Sequence, residues 1–339
     1  MEENKELRSL INDLFLKIEK MPNDQQYYFY KILENIEKLA TNPHDLGDLK
    51  LTNTAIKELR RSLKIFEPYR DIRKVCLFGS ARTKTNVKEY AMAKEFASQI
   101  TKRGFMLITG AGSGIMEAGN SGAELNSSFG LNIKLPYEQR PNAYVPESRL
   151  MEYKYFFVRK IVFIKESDAT VLFPGGFGTL DEGFENLVLL QTGKCAPRPI
   201  ILIEDPATNY WQEWLHFIKT QMLTTNEFIN ADDLSLFKIK TNVNEAVEEI
   251  LNFYRVFHSL KYVKDFACLR LNQALPASVI KELNLKYKSI LKQGEIVQYL
   301  DNVFMPCEKY PDKPKLCFSF DRFNYNTLIE MIYFINQSV

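Results

Sequence analysis

The chain has 339 residues, enough for about two domains at roughly 150 residues each, and for a core that needs neither disulfides nor metal. Hydrophobic residues make up 45% and charged residues 25%, and 44 Lys plus Arg against 42 Asp plus Glu leave a net charge of +2. Such a composition is that of an ordinary globular chain and excludes both a disordered one and an electrostatic platform for nucleic acid. From Glu6 to about Ile65 the pattern is helical: Leu10, Ile11, Leu14, Phe15 and Ile18 recur at three- and four-residue spacing, and Tyr30, Ile32, Leu33, Ile36 and Leu39 form a second run. Asn42-Pro43 breaks it, 45–48 reads as a loop, and Leu51 to Phe66 as a further helix.

The texture then changes to strand, glycine turn, helix, repeated. Strands are predicted at 75–78, 106–109, 130–135, 169–173 and 199–203, and helices at 89–102, 115–125, 151–165, 180–192 and 211–222. This alternation predicts an α/β fold: a Rossmann-like, doubly wound parallel sheet whose ligands sit beyond the strand carboxyl ends, where all three glycine turns fall. Beyond Arg255 the order becomes strand 265–271, helix 277–291, strands near 296–300 and 316–320, and helix 325–335, a small α+β module with a Pro-rich loop at 306–314. The expected division is an N-terminal helical region (1–70), a nucleotide-binding catalytic domain (71–256) and the C-terminal module (257–339).

The five cysteines, Cys76, Cys195, Cys268, Cys307 and Cys317, are odd in number and form no C-x-x-C pair, which argues against a disulfide framework or zinc knuckle and for a reducing, cytoplasmic setting. His44, His216 and His258 lack ligand spacing, so no metal site and no Ser-His-Asp triad is expected. No apolar run approaches the roughly 18 residues of a spanning helix, and the charged, amphipathic start predicts neither export signal nor membrane anchor.

Three turns could carry chemistry. In the segment 173–182, Phe-Pro-Gly-Gly-Phe-Gly-Thr-Leu-Asp-Glu, an apolar strand turns through glycines into a helix. Converging backbone N–H groups and the helix N-terminus can cradle a phosphate there, with Gly175, Gly176, Gly178 and Thr179 as donors. On residue types alone, Thr179-x-x-Glu182 could equally be a capping box. The second turn, Thr109-Gly110-Ala111-Gly112-Ser113-Gly114, lacks dinucleotide spacing, and the strand after it ends in Lys134-Leu135-Pro136 without a ribose-binding acid, so a mononucleotide fits better than NAD. The third, Gly79-Ser80-Ala81-Arg82, offers a hydroxyl and a cation. In 155–164 every residue but Arg159 and Lys160 is apolar, which predicts a helix buried all round; its Arg must meet an anion, either a ligand or a structural carboxylate.

Phe-Gly-Ser at 78–80, Thr-Gly-Ala-Gly-Ser-Gly-Ile-Met-Glu-Ala at 109–118, Arg159-Lys160, and Pro-Gly-Gly-Phe-Gly-Thr-Leu-Asp-Glu at 174–182 together resemble the LONELY GUY family, whose longer bacterial members carry the label "possible lysine decarboxylase". The resemblance covers about Ile72 to Tyr254. It implies a nucleoside 5′-monophosphate phosphoribohydrolase that frees base and ribose 5-phosphate. Arg159 and Glu182 would be the catalytic pair, Gly175, Gly176, Gly178 and Thr179 would hold the 5′-phosphate, and Gly110, Gly112, Ser113 and Gly114, with Gly79 and Ser80, would line the nucleotide. Lys160 reads as a phosphate or acid partner. No cofactor is implied, the partners being a nucleoside monophosphate and further copies of the chain in a homodimer or larger homo-oligomer. A nucleotide-binding sensor without turnover is the alternative. A pyridoxal-dependent decarboxylase would need a Schiff-base lysine, which nothing in the sequence marks.

Overall fold

The computed structural model describes residues 2–42, 45–135, 140–301 and 309–339. Pro43, His44, Pro136, and Pro306 and Cys307 of the expected Pro-rich loop lie outside them. The chain divides into two compact units, Met1–Ile56 and Lys57–Val339. The first holds α1 (Glu2–Ile18), α2 (Asn23–Thr41) and the start of α3 (Leu46–Phe66). Helix α3 begins inside the stretch 45–48 that the sequence assigns to a loop, because the Asp45 carboxylate accepts the Asp48 N–H (3.0 Å) and supplies a cap.

In the second unit the elements follow as β1 (Lys74–Phe78), α4 (Lys88–Lys102), β2 (Met106–Thr109), α5 (Ile115–Gly122), β3 (Ser128–Ile133), β4 (Leu150–Tyr153), α6 (Phe156–Glu166), β5 (Ala169–Leu172), α7 (Phe177–Gln191), β6 (Ile200–Ile203), α8 (Tyr210–Phe217), β7 (Lys238–Lys240) and α9 (Val243–Phe253). The seven strands form one parallel sheet in the order β4-β3-β2-β1-β5-β6-β7. The chain winds outward from β1 to β4, then returns to place β5 on the other side of β1, so the topological switch point lies between β1 and β5. Side chains of β1 alternate faces: Val75 and Leu77 join a core with Phe96 and Ile100 of α4 and Val247 and Ile250 of α9, whereas the Phe78 ring meets Phe163 of α6 at 4.9 Å.

Two expectations are corrected here. The sequence predicts one helix over 151–165, but Leu150–Tyr153 pairs with β3 as a strand, burying Met151 and Tyr153 and exposing Glu152, a period of two hidden by the apolar run that follows. Helix α6 is not buried all round: Val158, Val162 and Phe163 face inward, while Phe156, Phe157 and Ile161 are 48%, 46% and 50% exposed.

A second sheet, antiparallel and ordered β10-β11-β9-β8, is built from β8 (Phe257–Val263), β9 (Phe266–Leu271), β10 (Leu291–Tyr299) and β11 (Lys315–Phe320), with α10 (Ala277–Lys286) and α11 (Tyr325–Gln337). Leu269, Leu316 and Phe318 pack with Leu283 of α10 and Leu328 and Ile332 of α11. The β9–β11 register sets Cys268 opposite Cys317, and the two form a disulfide, where the sequence argued against such bonding. Their separation of 49 residues conceals a pairing that only the strand register creates. Cys76 is buried and Cys195 partly exposed, both as free thiols.

Candidate functional site

The three glycine turns meet at the carboxyl end of the sheet because β1 and β5 are neighbours. Ser80 joins them: its N–H donates to the Pro174 carbonyl (3.1 Å) and its carbonyl accepts the Ile115 N–H (3.1 Å) at the start of α5. The turn after β2 is held by Thr109, whose hydroxyl donates to Asn120 Oδ1 (2.7 Å) and accepts the Ala111 N–H (2.9 Å). Gly114 has φ +66°, and a Cβ there would lie 2.3 Å from the Ser80 carbonyl oxygen, so the close crossing of two turns requires glycine.

The turn after β5 is anchored by the Tyr210 hydroxyl, which donates to the Gly175 carbonyl (2.6 Å). Helix α7 starts at Phe177, with Gly176 as its N-cap, no capping side chain and no acidic residue in its first turn. Thr179 and Glu182 therefore lie within the helix and do not form a capping box. The N-terminal amides of α7 keep their partial positive charge, the condition for holding an anion.

One turn into α7, the Glu182 side chain is almost wholly buried, at 3% exposure. Its Oε1 lies 3.8 Å from Arg159 Nη2 and its Oε2 lies 3.5 Å from Lys160 Nζ. These are ion pairs at a distance. Glu182 Oε2 and Arg159 Nε have no hydrogen-bond partner among the described residues. Burial raises the Glu182 pKa against the opposing pull of Lys160 and Arg159, and burial lowers that of Arg159, which Glu182 partly offsets. The Arg159 guanidinium lies over the rings of Phe156 (5.0 Å) and Phe163 (5.6 Å). For Lys160, burial works against the charge, but hydrogen bonds from its ammonium to Glu185 (2.6 Å) and Asp181 (3.0 Å) prevail and raise its pKa.

Gly79, Ser80, Gly110, Arg159, Gly175, Gly176, Gly178, Thr179 and Glu182 line one cavity of about 820 Å³. Gly112, Ser113, Gly114 and Lys160 lie outside that lining. The Gly112 carbonyl accepts the Asn142 amide (3.0 Å), the Ser113 hydroxyl donates to the Ala81 carbonyl (2.8 Å), and Lys160 faces three carboxylates. Sequence reasoning passed over Asn132, Met116 and Phe156, which also line the cavity. Asn132 carried a readable signal, a polar residue between Leu131 and Ile133 in a buried strand, 2% exposed.

Among solved structures, the chain is similar to a Moco carrier protein from Chlamydomonas reinhardtii (21% identity over 53% of this chain and 98% of that one, TM-score 0.36). It is similar also to the protein TM1055 (24%, 53% and 98%, TM-score 0.38) and to DNA processing protein A from Helicobacter pylori, a single-stranded DNA binder (13%, 53% and 80%, TM-score 0.35). No curated protein matches the chain. Residues 109–250, which include the turn after β2, Arg159 and the whole of α7, match the family described as possible lysine decarboxylase. Across this site the chain is thus similar to the family described as possible lysine decarboxylase, in line with the LONELY GUY resemblance of its motifs.

Proposed function

We propose that the chain hydrolyses the N-glycosidic bond of nucleoside 5′-monophosphates to free base and ribose 5-phosphate. The observation that carries this reading is the buried Glu182 carboxylate, with one oxygen free of hydrogen bonds, beside Arg159 in the cavity that opens at the uncapped start of α7. The 5′-phosphate binds the amides of the Gly175–Thr179 turn, which fixes the ribose. As the bond to the base breaks, positive charge develops on the sugar; Glu182 stabilises it and accepts a proton from the attacking water, whose oxygen bonds to C1′. That proton passes to the departing base. Arg159 orients Glu182 and adds positive charge facing the phosphate.

The decarboxylase in the family's description would need a neutral lysine for an imine with pyridoxal phosphate. Lys160 does not fit, since three carboxylates within 3.5 Å keep it protonated. The homo-oligomer expected from the sequence is part of the same proposal. Phe157 and Ile161 on α6, and Phe184 and Val188 on α7, are exposed apolar pairs at i, i+4 spacing, the pattern of helix faces that pack on another copy.

Incubating a panel of nucleoside 5′-monophosphates with the protein and with Glu182→Gln, and separating the products by chromatography, tests the reading. Base and ribose 5-phosphate are expected from the native chain, and a rate lower by roughly 100-fold to 10,000-fold from the variant. Binding without release by either would replace hydrolysis with the sensor.

A further inference from the structure

The amides at the start of α7 are open. Gly176, Phe177 and Gly178 donate their N–H groups to nothing among the described residues, and a Cβ added at Gly176 or Gly178 would meet no atom within 4 Å. Such donors hold a phosphate only where they converge on it. The peptide between Gly175 and Gly176 is the one least able to keep its own direction, because glycine on both sides lets its plane turn over at little steric cost.

That plane is fixed from outside the turn. The Tyr210 hydroxyl donates to the Gly175 carbonyl at 2.6 Å, from a position 35 residues further along the chain, and Tyr210 does not itself line the Glu182 cavity. In a trans peptide the carbonyl and the N–H of the next residue point in opposite directions. A Gly175 carbonyl drawn towards Tyr210 therefore turns the Gly176 N–H away from it, to the side of the cavity that Gly175, Gly176 and Thr179 line.

Tyr210 has a firm seat of its own. It is the first residue of α8, and Asn209 before it takes a left-handed conformation, φ +52°, without capping the helix. The cap comes instead from Glu204 at the end of β6, whose Oε2 accepts the Trp211 N–H (2.6 Å), while the Trp211 indole N–H donates back to the Ile203 carbonyl (3.1 Å). Glu204 and Trp211 are 0% and 1% exposed, and the Tyr210 ring packs edge-on against Trp211 at 4.8 Å. Since β5 and β6 are paired in the sheet, the helix that starts after β6 stands beside the turn that follows β5.

We infer that Tyr210 is a positioning residue for the substrate's phosphate: its hydroxyl sets the direction of the Gly176 N–H, and with it the affinity of the α7 turn for a phosphate monoester, without touching the ligand. This role rests on the 5′-phosphate reading of the turn. It extends the site to the end of β6 and the start of α8, where no glycine motif marks the sequence.

Calorimetric titration of the full chain with ribose 5-phosphate reads that affinity without turnover. Tyr210→Phe keeps the ring against Trp211 and removes only the hydroxyl; it is expected to weaken binding by about three- to tenfold, the worth of one hydrogen bond, and to lower the melting temperature by at most about 4 °C. With a monophosphate that the native chain hydrolyses, KM should rise by the same factor while kcat stays within about twofold, a split that a merely structural hydroxyl would not produce. Gly175→Ala, whose added methyl would sit 2.1 Å from Thr179 Oγ1, disturbs the turn directly and serves as the control. Native affinity in Tyr210→Phe beside lost affinity in Gly175→Ala overturns the role of Tyr210 and leaves the phosphate site standing, and a fall in kcat at constant KM overturns that role as well. No binding of ribose 5-phosphate by the native chain overturns both. Weakened binding by Tyr210→Phe, in a chain that releases no base, supports the role and passes the site from the hydrolase to the sensor.

Discussion

Glu182 combines two properties that ordinarily exclude one another, deep burial and a carboxylate oxygen without a hydrogen bond. Burial raises its pKa above the usual 4.5, so the proton leaves at a higher pH than from an exposed glutamate, and the acid limb of kcat/KM is expected to lie above 4.5. A pH–rate profile flat down to that value would remove Glu182 from the role of base. His258 shows the opposite sign. Its folded pKa, about 4, lies below the ordinary 6.5, so the unfolded chain takes up the proton first; the stability it contributes is full above 6.5 and is lost as pH falls towards 4. Denaturant titrations between those pH values should show a shallower loss in His258→Gln than in the native chain. At this scale the sequence was informative where a motif concentrated the signal, as for Glu182 behind three glycines and Arg159 in an apolar run. It was silent on Arg198, whose importance comes from what lies across space, the end of α6.

Among the elements, strands that end in glycine turns were legible because a short apolar run and its punctuation occur together, as in β1, β2 and β5. The strand β4 was not, since four residues of alternation run straight into an apolar helix, and β8 offers a half-buried pattern with no turn signal before it. The crossing of turns at Gly114 yields a prediction for an element boundary. Gly114→Ala places a Cβ 2.3 Å from the Ser80 carbonyl oxygen at φ +66°, and should cost about 1 to 3 kcal/mol in chemical denaturation. A loss below a few tenths of that would mean that the turns can separate. On α6, Ile161→Asp puts a charge into the exposed apolar stripe; light scattering is expected to show the proposed oligomer dissociating, while the circular dichroism of the helices is retained.

The largest scale joins two sheets of different construction within the unit Lys57–Val339. Asn336 of α11 is 3% exposed, accepts the N–H groups of Val256 and Phe257 (2.8 and 3.0 Å) and donates to the Phe253 carbonyl (2.6 Å), fastening the last helix to the chain where α9 passes into β8. Asn336→Leu leaves those backbone groups buried and unpaired, and should lower stability by about 2 to 4 kcal/mol in denaturant titrations. A smaller effect would mean that water reaches them. None of this was visible in the sequence, where an asparagine near the end of an amphipathic helix resembles a surface residue. The β1–β5 pair is fastened beyond both of its ends: the Lys74 N–H donates to the Asp168 carboxylate (2.9 Å) and the Asp168 N–H to the Lys74 carbonyl (2.7 Å) at one, and the Ser80 N–H donates to Pro174 (3.1 Å) at the other. Amides in this ladder should therefore be the slowest in the chain to exchange with deuterium, opening only with global unfolding. The floor of the Glu182 cavity then persists through partial openings that release the antiparallel sheet, and the phosphate binding proposed at the Gly175 turn should outlast the loss of structure around Asn336 as denaturant rises.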